Sequence, residues 1–421
     1  MMTHKHSRLI ACTLTAILIT LMVTMQVAPH ASVTGSDWTL RRNQLIVHEW
    51  GTFTSIAGKN GAAVEWRPLN GSSDLPGFVY NANGLPEAAG LRHGKRCIKC
   101  YSEAIFRMET PVIYFYADRE TTVSVRVDFV NGRITEWYPH ARMVYAPDKY
   151  NLGTPSMIDW GRITVMPGAE ENFLTEVKES HYYPARETDA APIRVCSDKG
   201  YNEADQREKF LFYRGIGSFN LPVTARLEGE RVVVTNTTKR NIPKFILFEN
   251  RDGRVGYEIH DPSGGKAEIE RPALDQTTDY LARDLVSLLV AEGLYEKEAL
   301  AMIKTWRDSW FEEGLRIFYI VPRKVTDGIL PITIEPAPKE LARVLVGRME
   351  VITPEMERAV RQQIAKLKSD SPDIQSVART IIRKHGRFSE PVLKSILEKT
   401  TDMKLRSRIK QIIKTASEAT D

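Results

Sequence analysis

Cysteine is scarce in this chain, with four among 421 residues, so a disulfide framework cannot be what holds so long a protein together. After residue 28 there is no long apolar run, which excludes a bundle of membrane-spanning helices. Neither charge sign dominates. The 58 lysines and arginines stand against 53 acids for a net +5, which falls to +3 once Lys5 and Arg8 of the leading segment are set aside. That is too small an excess to imply a nucleic-acid partner. Signatures of self-evident chemistry are missing too. His48-Glu49 has Thr52 where a second histidine would complete HExxH, and Gly215-Ile216-Gly217-Ser218 does not fit a GxSxG elbow. No P-loop or GxGxxG is present, and Gly94-Lys95 is followed by Arg96, not by a magnesium-holding hydroxyl.

What is present begins with an address. Residues 1–8 are basic, Leu9–Ala28 is apolar, and the first acid is Asp37. This pattern predicts a secretory signal or a single N-terminal anchor over residues 1–31. Either places the body outside the cytoplasm, periplasmic or secreted. Cys12 precedes the apolar run instead of closing it, so lipidation is not expected.

Export favours disulfides, and three cysteines remain in the body. Cys97 and Cys100 form a CxxC that could close as a disulfide. With His93 and Cys196 they could instead supply a Cys3His zinc set, a weaker signal with a single CxxC, and they could also lie unpaired in a Gly-, Pro- and Asn-rich loop. Tyr101 occupies the place where covalent haem attachment needs histidine.

From residue 44 to 352 short β-branched and aromatic runs alternate with turn residues. Thr122–Phe129 alternates apolar and polar, Asn131-Gly132 marks a hairpin, and Ile134–Tyr138 follows. Further runs fall at Arg162–Val165, Phe210–Tyr213, Val223–Leu227, Arg231–Thr235, Phe245–Glu249 and Val255–Ile259. The expected fold is α+β, with a mainly antiparallel, sandwich-like body. A two-helix insertion is expected at about 278–313, where Leu281, Leu285 and Leu289 and then Ile303, Trp306 and Trp310 recur at helical spacing. Thr353-Pro354 reads as a helix start, and residues 353–421 form a basic helical C-terminal domain of net +6. Its stripes are Met356–Leu367, then Ile374, Val377 and Ile381, then Leu393–Leu397, then Leu405–Ile413, somewhat like paired helical hairpins. Its charge marks either a solvated face or a face for an acidic partner or anionic lipid.

Polar residues set inside apolar runs are the candidate chemistry: His48, Glu49, Arg107, Glu109, Arg214, Arg348 and Glu350. They are either ion pairs knitting strand ends or a cleft of carboxylates and His48 acting as acid, base or metal ligands. Trp306 and Trp310, with the acidic pair Glu187 and Asp189, could line a ligand platform; a buried stripe against the sheet is the plainer reading of the tryptophans.

Seven stretches together, His48–Thr54, Arg107–Tyr116, Glu136–Pro139, Ala185–Pro192, Lys209–Gly215, Thr305–Pro322 and Gly347–Pro354, resemble a family of exported bacterial proteins of unknown function. The resemblance implies an exported bacterial setting and brings no activity, cofactor or catalytic residue. The CxxC lies outside it. The sequence thus predicts a non-catalytic binding or envelope-associated protein whose partner could be an envelope protein or polymer. A periplasmic hydrolase, possibly metal-assisted, and redox or metal handling through the CxxC are the alternatives.

Overall fold

The computed structural model describes residues 45–66, 75–82, 104–146, 155–196, 205–238, 242–384 and 389–415. All belong to one compact unit, Arg41–Asp421. The leading segment 1–31 and the His93, Cys97 and Cys100 stretch lie outside the described residues.

In chain order the strands begin with β1 (Ile46–Ala57), β2 (Tyr80–Asn81), β3 (Phe106–Tyr116), β4 (Thr121–Phe129), β5 (Gly132–Tyr138), β6 (Met143–Tyr145) and β7 (Ser156–Val165). Next come β8 (Ile193–Val195), β9 (Gln206–Glu208), β10 (Leu211–Gly217), β11 (Val223–Glu228), β12 (Arg231–Asn236), β13 (Phe245–Arg251), β14 (Arg254–His260) and β15 (Lys266–Glu270). Helices α1 (Thr278–Ala291) and α2 (Glu296–Trp310) follow, then β16 (Gly314–Ile320), α3 (Arg323–Ile329), β17 (Ile332–Glu335) and β18 (Glu340–Val351). The chain closes with α4 (Pro354–Lys366), α5 (Pro372–Lys384), α6 (Glu390–Lys399) and α7 (Met403–Thr415). This is the α+β architecture expected, with mostly antiparallel sheets, a two-helix insertion and a helical C-terminal segment.

A nine-stranded sheet of order β14-β13-β16-β18-β1-β3-β10-β5-β2 forms the middle layer. Its β1–β18 pair is parallel over Ile46↔Glu340 to Ala57↔Val351, so the first and last strands of the body lie side by side at its centre. One face packs on a six-stranded sheet (β17-β4-β7-β8-β9, with β6 beside β7) and a three-stranded sheet (β11-β12-β15), sharing a continuous apolar core. The alternation in β4 explains the packing: Val123, Val125, Val127 and Phe129 are buried there, while Thr122 and Arg126 face solvent. Asn131 takes a left-handed φ of 55° at the hairpin turn, as the Asn-Gly signal requires. On the opposite face lie α1 and α2, where Trp310 meets Phe318 at 5.2 Å between ring centroids. Gly293, with φ 110°, ends α1 and admits the turn into α2.

Thr353 caps α4 through its side chain, accepting from the Met356 N–H at 3.2 Å. Helices α4–α7 bury their own core around Val360, Ile364, Ala378, Ile382, Leu405 and Ile409. Here one stripe is out of phase with its expected position. Ile374 and Val377 are exposed, and Ala378 and Ile382 take the core positions of α5. Among the described residues no helix is long and apolar enough to cross a membrane.

Candidate functional site

Adjacent residues of a strand point to opposite faces, and β1 puts this to use. His48 and Trp50 reach the helix side of the large sheet, whereas Val47, Glu49 and Phe53 reach the sandwich core. His48 and Glu49, neighbours in sequence, therefore belong to different sites.

His48 is fully buried beneath α2. Its Nδ1 lies 2.8 Å from Glu298 Oε2, an oxygen that also accepts from the Tyr295 N–H at 2.8 Å. Glu298 Oε1 accepts from the Tyr116 hydroxyl at 2.7 Å. A carboxylate so occupied orients the imidazole with Nδ1 as donor. The other ring nitrogen, Nε2, is buried without a hydrogen bond and stands 3.7 Å from Glu340 Oε1, on a side chain more than half exposed. The Tyr295 ring lies 4.3 Å from the imidazole between centroids. Burial, then the carboxylates of Glu340 and Glu298, push its phenol up to about 12.

On the core side, Glu49 accepts from Arg343 Nε and from the Tyr213 hydroxyl, each at 2.5 Å. Arg343 Nη1 donates to Asp327 at 2.8 Å, and its Nη2 is buried without a hydrogen bond. Burial works against this guanidinium's charge, but Glu49 and Tyr213 outweigh it and hold its pKa above the ordinary arginine value.

Farther along the sheet a second polar group gathers on the helix side. Glu350 Oε1 is 2.7 Å from Arg348 Nε and 3.0 Å from Arg316 Nε, so one carboxylate serves two buried guanidinium groups. Arg348 also reaches Glu312 at 2.8 Å, and Arg316 donates to the Trp310 and Glu313 carbonyls at 2.5 and 2.9 Å. Burial pulls the Arg316 pKa down to about 10. Arg107 lies 3.4 Å from Glu109, which is opposite Thr52 in the register of β1 and β3. Arg214, fully buried in β10, lies over the Phe212 ring and opposite Glu136. Where the β1–β3 register shifts between Trp50 and Thr52, β3 holds the extra residue and carries Thr110 at φ 43°, a costly conformation for a β-branched residue. Thr52 is four residues from His48, about 13 Å along the strand. The structure therefore does not bring His48, Glu49, Glu109 and Glu350 into one pocket: Glu49 lies across the sheet, and His48 lies far from the other two.

The tryptophans are core. Trp306 and Trp310 are both buried, Trp306 against His181 and Trp310 against Phe318 of the sheet. Glu187 and Asp189 pair with Lys304 and Lys297, each at 2.6 Å, tying the turn Tyr183–Arg186 and its flank to α2. Cys196 is a free, exposed thiol. Among the described residues no group of three His, Cys, Asp or Glu side chains is placed to hold a metal ion.

Two hollows flank these elements. An open groove of about 980 Å³ runs between 178–187 and α2, with His181 and Asp308 paired across it at 2.8 Å. A smaller cavity of about 580 Å³ sits at the sheet end between Pro243-Lys244, Ile320–Arg323 and Glu340–Arg343. Its wall includes Arg343, which carries the unpartnered Nη2, and Glu340, the neighbour of His48 Nε2. Sequence reasoning missed Glu298, Glu340, Arg343 and Arg316. The one available signal was Glu298 itself, a carboxylate immediately before the apolar stripe of α2.

No protein-family model and no curated protein matches this chain. Among solved structures, the Fcho1 Mu homology domain of Danio rerio with bound Eps15 peptide aligns with TM-score 0.24 and 7% identity, covering 74% of this chain and 95% of that one. A likeness at that level carries no argument about fold or function.

Proposed function

We propose that this chain is an exported, non-catalytic binding protein, and that its ligand site is the cavity at the sheet end. What supports the reading is the way its buried charges are used. Glu49, Glu350 and Glu298 are each engaged by arginine, histidine or tyrosine on two separate faces of the sheet, as structural ion pairs are. The cavity wall, by contrast, carries two cations on accessible side chains, Lys244 and Arg323. An incoming small anion competes with Asp261 for Lys244 and with Asp327 for Arg323, and guanidinium suits a carboxylate or phosphate. The basic-then-apolar leading segment, expected to direct export, and the resemblance to exported bacterial proteins support an envelope setting for this activity.

The test is calorimetric titration of the chain with succinate, inorganic phosphate and, as a cationic control, putrescine. Succinate or phosphate should bind, putrescine should not, and Lys244→Ala with Arg323→Ala should weaken binding by about tenfold, the loss of roughly one charged contact. Heat absent for both anions, or unchanged by the double substitution, removes the reading. So does turnover of an ester, peptide or glycoside panel that is lost in His48→Gln. N-terminal sequencing of the protein from a periplasmic fraction tests the setting: an intact residue 1 in a cytosolic pool contradicts export.

A further inference from the structure

Where the helical segment meets the body there is a third hollow, of about 410 Å³, at the end of β18 opposite the sheet-end cavity. The ends of β1 and β18, Arg226-Leu227 of β11 and the first turns of α4 and α6 line it together. The turn after β1, which supplies Lys59 and Val64, is stitched to β11 at Gly61. That glycine accepts from the Ala225 N–H at 3.2 Å and holds φ at 85°. Val64, Leu227 and Ile352 line the hollow and are only half-buried, so apolar surface is left uncovered there.

Three charges share this lining: Lys59, Arg226 and Glu357. Glu357 already accepts two hydrogen bonds from Arg361, at 2.9 and 2.6 Å, whereas Lys59 stands 3.6 Å away on a side chain that is 81% exposed. Lys59 can therefore turn to another acceptor without stranding Glu357. Arg226 gives Nε and Nη2 to one oxygen of Glu228, at 2.7 and 2.5 Å, which leaves Nη1 for a second acceptor. Of the other acids nearby, Glu390 pairs with Lys394 at 3.2 Å and Glu268 with Lys266 at 2.5 Å.

We propose that this hollow binds a single-chain aliphatic carboxylate, its chain against Val64, Leu227, Ile352 and Val392 and its head at Lys59 and Arg226. Apolar walls with a few placed polar groups make a small-molecule site. The volume lies low in the range of about 300–1,000 Å³ that such sites span, which suits one chain and not a two-tailed lipid. Two cations with donors to give, beside one acid that Arg361 serves, favour a negative head over a positive one. Such a ligand touches the body and the helical segment at once and so holds them together. The proposal does not rest on the sheet-end cavity.

The experiment is calorimetric titration of the full chain with decanoate below its micelle concentration, beside acetate and decylammonium. Decanoate should saturate one site and bind about tenfold or more tightly than either control, since acetate lacks the chain and decylammonium the charge. Bound decanoate should slow amide exchange in α4 and α6, because a ligand stabilises the elements it touches. Lys59→Ala with Arg226→Ala should weaken binding about tenfold. Ser395→Phe, at a half-buried position of the lining on α6, should weaken it at least as much by filling the space. Heat that is absent or never saturates, equal binding of decylammonium, or unchanged affinity in either variant overturns the proposal. So does loss of decanoate binding in Lys244→Ala with Arg323→Ala, which moves the site to the sheet-end cavity. Should Ser395→Phe fail to fold, the exchange pattern decides: protection gained in α4 and α6 supports the site, and none gained there removes it.

Discussion

Glu350 joins two guanidinium groups that are themselves fully buried, so its removal takes a carboxylate from each and leaves Arg348 its contact with Glu312 and Arg316 only carbonyl acceptors among the contacts described. Glu350→Gln should destabilise the fold by about 3–5 kcal/mol, the usual cost of breaking a buried pair from one side, measured as the shift of a denaturant transition. Tyr319 makes the opposite case. Its hydroxyl is fully buried with no hydrogen-bond partner among the described residues, and burial alone drives its pKa up. Tyr319→Phe removes an unsatisfied group without opening a cavity and should be neutral or raise stability by up to about 1 kcal/mol. A loss above that range by the same denaturant measurement contradicts the packing described. Neither residue was legible as to its role. The sequence marked Glu350 and Arg348 as charges in an apolar run, but Arg316 enters from another strand, and only the register Arg316↔Glu350 brings it in. His48 and Glu298, 250 positions apart, meet only because α2 packs over β1.

At the scale of elements, local pattern was readable wherever one face is wet. The alternation in β4, the Asn131-Gly132 turn and the Thr353-Pro354 helix start all follow from side-chain chemistry within a few residues. Thr353→Ala should therefore cost about 1 kcal/mol through loss of the cap on α4, visible as faster amide exchange in its first turn with β4 unaffected. Where apolar residues cover most of a helix, periodicity stops discriminating. Helix α5 offers Ile374, Val377 and Ile381 on one stripe and Ala378 and Ile382 on another, and tertiary packing selected the second. The parallel pairing of β1 with β18 was equally hidden. Both strands are buried on two faces and carry no alternation from which partner or direction could be read.

For the molecule as a whole, the join between body and helical segment is thin and electrostatic. Glu355 lies 3.5 Å from Arg271, Glu357 lies 3.6 Å from Lys59, and Lys394 reaches the Glu65 carbonyl at 3.4 Å, beside a small apolar contact at Ile56 and Trp66. The Glu357 carboxyl is held below its ordinary 4.5 first by the hydrogen bond from Arg361 and then, against partial burial, by Lys59. For Glu355 partial burial works upward, but hydrogen bonds at the helix start, Arg271 and Arg358 outweigh it, again leaving the value below 4.5. A carboxylate that binds its proton less tightly when folded contributes stability fully above the unfolded value and loses it as pH falls through the folded one. Acidification below 4.5 should thus loosen α4 and its attachment before the sandwich, whose main contacts are apolar and do not titrate. Both groups are partly exposed, so the effect is under about 1 kcal/mol for each. It should appear as a drop in α4 amide protection relative to β4 between pH about 5 and about 3. Glu355→Gln with Glu357→Gln should flatten that dependence by making the join weak at every pH. Equal loss of protection in α4 and β4 would instead mean that the helical segment and the body unfold as one cooperative unit.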